Sequence, residues 1–264
     1  MGILNLTPDS FSDGGRFAEP GAAVAHALMM AEEGADLIDV GGESTRPGAQ
    51  RVPAAEQLRR VLPVIEAILA ALPTGVEISI DTTSAEVAER ALDAGASLIN
   101  DVSAGRDDPA MFGMAARRRL PVVLMHMRGD PATMQDDPRY ADVVTEVRDF
   151  LLGRAAAAME AGIARGKIMI DPGIGFGKTK EHNLALLARL EDLVATGFPV
   201  LLGTSRKRFM GSICGAAQSA ELAAATCATT ALGVLAGAKI FRVHDVRPNR
   251  QALDVAWAIR NSRP

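Results

Sequence analysis

The chain has 264 residues, of which 48% are apolar and 23% charged, with a formal net charge of -4. That balance supplies apolar residues for one large domain or two small ones, and it carries no long basic stretch for nucleic acid or a membrane surface. Two cysteines make neither a disulfide framework nor a thiolate metal site, and four dispersed histidines show no metal-ligand spacing.

From the N-terminus, a short apolar run followed by a helical pattern recurs eight times. The run 2–5 precedes a helix over 20–33, 37–41 precedes 53–71, 76–80 precedes 84–94, and 97–100 precedes 108–118. The second half repeats this: 121–125 with 141–162, 167–170 with 181–195, 199–203 with 217–236, and 239–243 with 246–260. The runs are too short and continuous for amphipathic helices. Ser84 reads as an N-cap, and Gly34, Gly95, Gly162, Gly197 and Gly237 stand where helices end. Arg117, Arg118 and Arg119 close a predicted helix and read as a solvated, dipole-compensating end. Cys214 and Cys227 lie in small-residue helical sequence and are expected to be buried. No apolar run is expected to reach the roughly 18 residues of a membrane span. The start lacks a basic signal region, and Leu6 breaks the myristoylation pattern after Gly2, so a cytoplasmic location is expected.

Eight strand–helix units without a composition break predict an α/β fold, a single-domain (β/α)8 TIM barrel over 1–264, with an open doubly wound sheet as the alternative. In such barrels chemistry sits at the C-terminal strand ends. Polar residues collect there: Asn5, Gly41-Gly42-Glu43, Asp81, Asn100-Asp101, His126, Asp171, Thr204-Ser205, then Arg242 and His244. Three Gly-, Pro- and hydroxyl-rich loops follow such ends, at 5–15, 41–48 and 171–178. Gly177-Lys178-Thr179 imitates the end of a phosphate-binding P-loop, but Pro172 stands where that motif needs glycine. His26 and His182 read as ordinary helix residues, while His126 is poised at the active face. Asp81, Asn100 and Asp171 beside Lys207, Arg206, Arg242 and His244 suit a flat heterocycle with amide and amino donors next to a multiply charged phosphate.

The segment from Met1 to Gly15 and the segment Asp39-Val40-Gly41-Gly42-Glu43-Ser44-Thr45-Arg46-Pro47-Gly48 resemble the two signatures of the dihydropteroate synthase family. The resemblance continues through Ile80-Asp81-Thr82, Ile99-Asn100-Asp101, Met125-His126-Met127, Asp171-Pro172-Gly173, Ser205-Arg206-Lys207 and Arg242-Val243-His244-Asp245. It implies a transferase of folate biosynthesis that condenses 6-hydroxymethyl-7,8-dihydropterin diphosphate with 4-aminobenzoate. It implies a pterin pocket of Asp81, Asn100, Asp171 and Lys207 walled by Met125 and Phe176, and a 4-aminobenzoate site shaped by Phe11, Thr45, Pro47, Ser205 and Lys207. Asn5 would hold Mg2+, Arg242 and His244 would bind diphosphate, and Asp13 and Arg46 would sit on closing loops. An SN1-like route without a dedicated base, sulfonamide sensitivity and a homodimer are further implications. The chain starts at the first strand, without the short segment that family members place before it, which bears on barrel stability rather than on the site. A pterin-binding methyltransferase barrel is the nearest rival, opposed by Ser205-Arg206-Lys207 and the two long loops; an inactive pterin binder is the other.

Overall fold

The computed structural model describes residues 1–7, 20–46 and 48–262. Its strands are β1 (Gly2–Asn5), β2 (Leu37–Gly41), β3 (Glu77–Asp81), β4 (Leu98–Asp101), β5 (Val122–Met125), β6 (Ile168–Asp171), β7 (Leu201–Leu202) and β8 (Ile240–Phe241). The helices are α1 (Pro20–Glu32), α2 (Ala54–Ala71), α3 (Ala85–Asp93), α4 (Ala110–Arg118), α5 (Val143–Glu160), α6 (Lys180–Ala188), α7 (Leu190–Val194), α8 (Arg208–Cys214), α9 (Ala223–Ala236) and α10 (Val246–Asn261). Strands β1 to β6 pair in chain order and β7 pairs with β8, all in parallel. Single bridges complete the ring, Ile170 to Val200 and Gly2 to Val243. The second is secured by Ile3 N–H to Val243 O and Val243 N–H to Met1 O, both 3.0 Å. A ring that returns to β1 is the (β/α)8 barrel, and it excludes the open sheet.

Strand periodicity assigns each residue a side. Outward residues such as Ile38, Val40, Ile80, Leu124 and Ile170 join the helices in one large core. Inward residues at the N-terminal end form a separate apolar plug of Met1, Leu98, Val123, Met169 and Leu201, with Leu37 and Ile240 packed on it. Two residues further along those strands stand Asp39, Asn100, Met125, Asp171, Gly203 and Arg242. The same inward face therefore changes from apolar to polar within one layer.

Several expectations need correction. Residues 204–216 were expected to link a strand to a helix, yet Arg208–Cys214 is helical, burying Phe209 and Met210 and ending at the left-handed Gly215 (φ 68°). The helix expected over 181–195 breaks at Arg189 (φ -114°, ψ 30°), whose guanidinium is held by Asp142 and Asp192. Neither cysteine is buried: Cys214 is exposed and Cys227 half-exposed, because the helices carrying them lie on the outside of the barrel. Segment Ser219–Ala236 does reach 18 residues with a mean hydropathy of 1.3, long and apolar enough to cross a membrane by those measures. Here it packs along α10 as an outer barrel helix, with Thr226, Thr230, Gly233 and Val234 buried. Ser84 caps α3 as expected, accepting from Val87 N–H. Arg118 pairs with Asp93 at 2.6 Å and Arg117 approaches Glu89 at 4.0 Å, in keeping with a solvated helix end.

Candidate active site

The polar layer is tied across the barrel rather than along the sheet. Arg242 reaches inward from the end of β8, donating from Nε to Asp39 Oδ2 at 2.6 Å and from Nη2 to Asp81 Oδ2 at 2.7 Å. Asn100 Nδ2 donates to the same Asp39 oxygen at 3.0 Å, and Asp39 is fully buried with Oδ1 lacking a hydrogen-bond partner among the described residues. Burial works against the Arg242 charge, but Asp39 and Asp81 hold the guanidinium above its usual range. One cation thus faces two carboxylates. Burial pushes Asp81 up to about 7, against the pull of Arg242 and with the help of Asp39. Nη1 of Arg242 has no protein partner among the described residues.

The opposite wall is built by the loop after β6. Asp171 Oδ1 accepts from Gly173 N–H at 2.7 Å, which aims Oδ2 into the space above Gly203 and beside Arg242. Burial raises Asp171 to about 6, with Gly173 N–H and Lys207 opposing. Lys207 lies 4.1 Å from the centroid of the Phe176 ring, and burial lowers its ammonium to about 8, with Arg242 acting in the same direction and Asp171 opposing. Gly175 favours glycine, since its φ is 84° and a Cβ there would press on Lys207 Cδ at 3.0 Å. Met125, Val102, Met127 and Met134 form an apolar patch against which Phe176 packs. Carboxylates, an amide and a lysine beside a sulfur- and aromatic-rich wall suit a flat, hydrogen-bonding heterocycle.

The segments that follow β7 and β8 meet through Ser205 and His244. The Ser205 hydroxyl accepts from His244 N–H at 3.0 Å and lies 2.9 Å from Nδ1. A hydroxyl that accepts from the backbone still has its own proton to give to Nδ1, and in that arrangement the ring proton sits on Nε2. Burial, Arg242 and Arg206 lower His244 to about 3, which keeps the ring neutral with one N–H to offer an anion. Beside it, Arg206 makes a two-point pair with Asp245 at 2.6 and 3.0 Å.

At the end of β1, Asn5 Oδ1 and Asp81 Oδ2 each come within 3.7 Å of the point where Gly41 would carry a Cβ. Among the described residues no three His, Cys, Asp or Glu side chains cluster as a metal cage. One amide oxygen with a carboxylate near it fits a cation that keeps water and takes further oxygens from phosphate, as magnesium does.

The structure brings Asp81, Asn100, Asp171, Lys207, Met125, Phe176, Arg242, Ser205 and His244 to the C-terminal face. Thr45 lines a cleft there with Asp81, Val102 and Met127. Arg46 is exposed. Phe11, Asp13 and Pro47 lie outside the described residues. Glu43 lines the same cleft while its carboxylate accepts from Val52 N–H and Gln57, fixing the loop after β2 on α2. His182 is the partner of Thr179 in the capping box that starts α6. Sequence reasoning missed Asp39, although a carboxylate inside an apolar strand run was its signal. It also missed Val102, Met127 and Met134, which looked like any other apolar residues.

A model of the family described as pterin binding enzyme matches residues 1–244. The dihydropteroate synthase of Mycobacterium leprae is 48% identical over 270 residues, covering 100% of this chain and 94% of that protein. A structure of the Xanthomonas albilineans dihydropteroate synthase with 4-aminobenzoic acid superposes with a TM-score of 0.92 at 49% identity, covering 100% of this chain and 93% of the other. The Yersinia pestis dihydropteroate synthase in a sulfonamide drug complex gives a TM-score of 0.93 at 42% identity, with 99% and 94% covered.

Proposed function

Because the chain belongs to the pterin-binding enzymes and, within them, to the dihydropteroate synthases, we propose that it joins 4-aminobenzoate to 6-hydroxymethyl-7,8-dihydropterin diphosphate, giving dihydropteroate and diphosphate. The observation that carries the reading is the inward ring of Asp81, Asn100, Asp171 and Lys207 against the Met125–Phe176 wall. Asp171 Oδ2 and the raised carboxyl of Asp81 bind ring N–H groups, Asn100 adds an amide contact, and Lys207 donates to a ring acceptor. Water excluded from this layer makes each charged contact stronger.

The bond to diphosphate breaks first, in an SN1-like step, leaving positive charge at the pterin methylene. Asp81, Asp171 and Asp13 stabilise that charge. Arg242 through Nη1, His244 through Nε2–H, and Arg46 receive the negative charge growing on diphosphate. Asn5 would contribute an oxygen to Mg2+, which when bound would neutralise part of the diphosphate charge. Phe11, Thr45, Pro47, Ser205 and Lys207 shape the 4-aminobenzoate site, and its amine, already unprotonated at neutral pH, attacks without a dedicated base. The sulfonamide in the Yersinia pestis complex supports sulfonamides as competing ligands here. The exposed Leu232, Val255, Trp257 and Ile259 on α9 and α10 support a homodimer, and the mixed surface elsewhere suits the cytoplasm. Diphosphate release from purified protein tests the reading. Release should require 4-aminobenzoate and fall when a sulfonamide is added; release independent of 4-aminobenzoate, or none, would contradict it.

A further inference from the structure

Lys178 is almost fully buried, at 3% exposure, yet its ammonium hydrogen-bonds no side chain assigned to either substrate. Its Nζ lies 2.9 Å from His126 Nδ1, 3.0 Å from Gly173 O, 3.0 Å from Phe176 O and 3.3 Å from His126 O. As an ammonium, Lys178 has only hydrogens to give, and in that form His126 Nδ1 accepts and the ring proton sits on Nε2. Two of the acceptors belong to the residue directly after β5 and two to the loop after β6. His126 N–H also donates to Asp171 O at 3.0 Å, and Gly173 packs so closely that a Cβ would stand 1.9 Å from His126 O. No phosphate could displace these partners without stripping carbonyls, which disposes of the P-loop resemblance.

We propose that Lys178 is a positioning residue for pterin recognition, fastening the loop after β6 to the end of β5 and thereby holding Asp171 and Phe176 in place. The loop needs such a fastener. Gly173, Gly175 and Gly177 all have positive φ, at 64°, 84° and 62°, so the segment has no regular hydrogen-bond ladder of its own. Its remaining groups are met one at a time: Gly175 N–H by Asn183 Oδ1, Gly175 O by Gln135 Nε2 and Gly177 O by Tyr140 Oη, at 2.7, 2.8 and 2.7 Å. Within the turn itself Phe176 N–H donates to Gly173 O at 3.0 Å, and Lys178 is the side chain among the described residues that holds both of its ends, Gly173 O and Phe176 O, and ties them to His126. The inference rests on the pterin-binding reading above.

The test uses the full chain. Lys178→Met should weaken binding of 6-hydroxymethyl-7,8-dihydropterin by about tenfold or more in titration calorimetry, and speed amide exchange across 172–178 by a similar factor, with β1–β3 unchanged. In an Asp171→Asn background the same change should cost no more than about threefold, because both act on one contact. His126→Asn, which keeps an acceptor near Nδ1, should bind within about threefold of the parent, while His126→Phe should behave like Lys178→Met. That pair carries the test should Lys178→Met not fold. Unaltered exchange, parent-like binding by Lys178→Met and His126→Phe, or full multiplication of the losses in the Asp171→Asn background would overturn the proposal. A parent chain that binds no pterin, with exchange still responding to Lys178→Met, overturns the functional reading and leaves the fastening intact.

Discussion

The two ends of the barrel interior are two residues apart on the same strands and differ in almost every physical respect. The lower layer, with Leu98, Val123, Met169 and Leu201, is apolar and closes the barrel by dispersion and burial. The upper layer, with Asp39, Asn100, Asp171 and Arg242, carries charges whose burial is costly and which are only partly matched to one another. Strand geometry lets one rigid frame do both tasks, because shifting by two residues keeps the side chain inward and moves it about 7 Å toward the loops. The lower layer contributes stability, and the upper layer gives some of it up for binding.

Substitutions can break that contrast. The largest effect is expected for Lys207→Ala, which removes an ammonium from beside Asp171 and Phe176. It should lower kcat/KM by roughly a thousandfold, about 4 kcal/mol, in a diphosphate-release assay, with little change in melting temperature. Leu201→Ala should do the opposite. A fully buried leucine in the plug costs about 3 kcal/mol of stability on truncation, readable in urea unfolding, while kcat/KM at low temperature stays near the parent value. Ser205→Ala sharpens the comparison within the upper layer. Losing the hydroxyl that fixes the His244 tautomer should cost about 1 kcal/mol in kcat/KM, and His244 should then show altered ring-proton signals by NMR.

The smallest expected effect is on pH dependence. Asp171 and Asp81 are raised to about 6 and about 7, so between pH 4 and 7 the folded chain binds more protons than the unfolded one. These two groups therefore make stability fall as pH rises through that window, and Asp171→Asn should flatten the slope in unfolding experiments. The lower-layer variant Leu201→Ala should leave the slope alone. Activity should show the complementary profile, rising as the two carboxyls ionise and declining as Lys207 loses its proton near 8.

Much of this was legible in the sequence. Apolar runs at regular spacing matched the first six strands to within one residue and the last two, which are only two residues long, to within two, since a short β-rich run between helical patterns has few alternatives. The polar residues at strand ends could be placed on one face before any coordinates, because a parallel barrel has only one C-terminal face. What stayed hidden depends on three-dimensional partners. Arg242 looked like a phosphate ligand, and nothing in its neighbours Phe241 and Val243 shows that it crosses the barrel to Asp39. Lys178 looked like part of a failed motif, and only its burial among carbonyls gives it a task. Helix α8 was lost because seven residues, interrupted by Gly211 and ended by Gly215, carry too little periodicity.

The central claim is that the upper inward layer, and not the barrel as a whole, recognises the pterin ring. Titration of 6-hydroxymethyl-7,8-dihydropterin into the parent, Asp171→Asn and Leu201→Ala, at a temperature where all three are folded, tests it most directly. The account predicts a loss of about 3 kcal/mol, roughly a hundredfold, for Asp171→Asn and parent-like affinity for Leu201→Ala. Equal affinity in the parent and Asp171→Asn would contradict it.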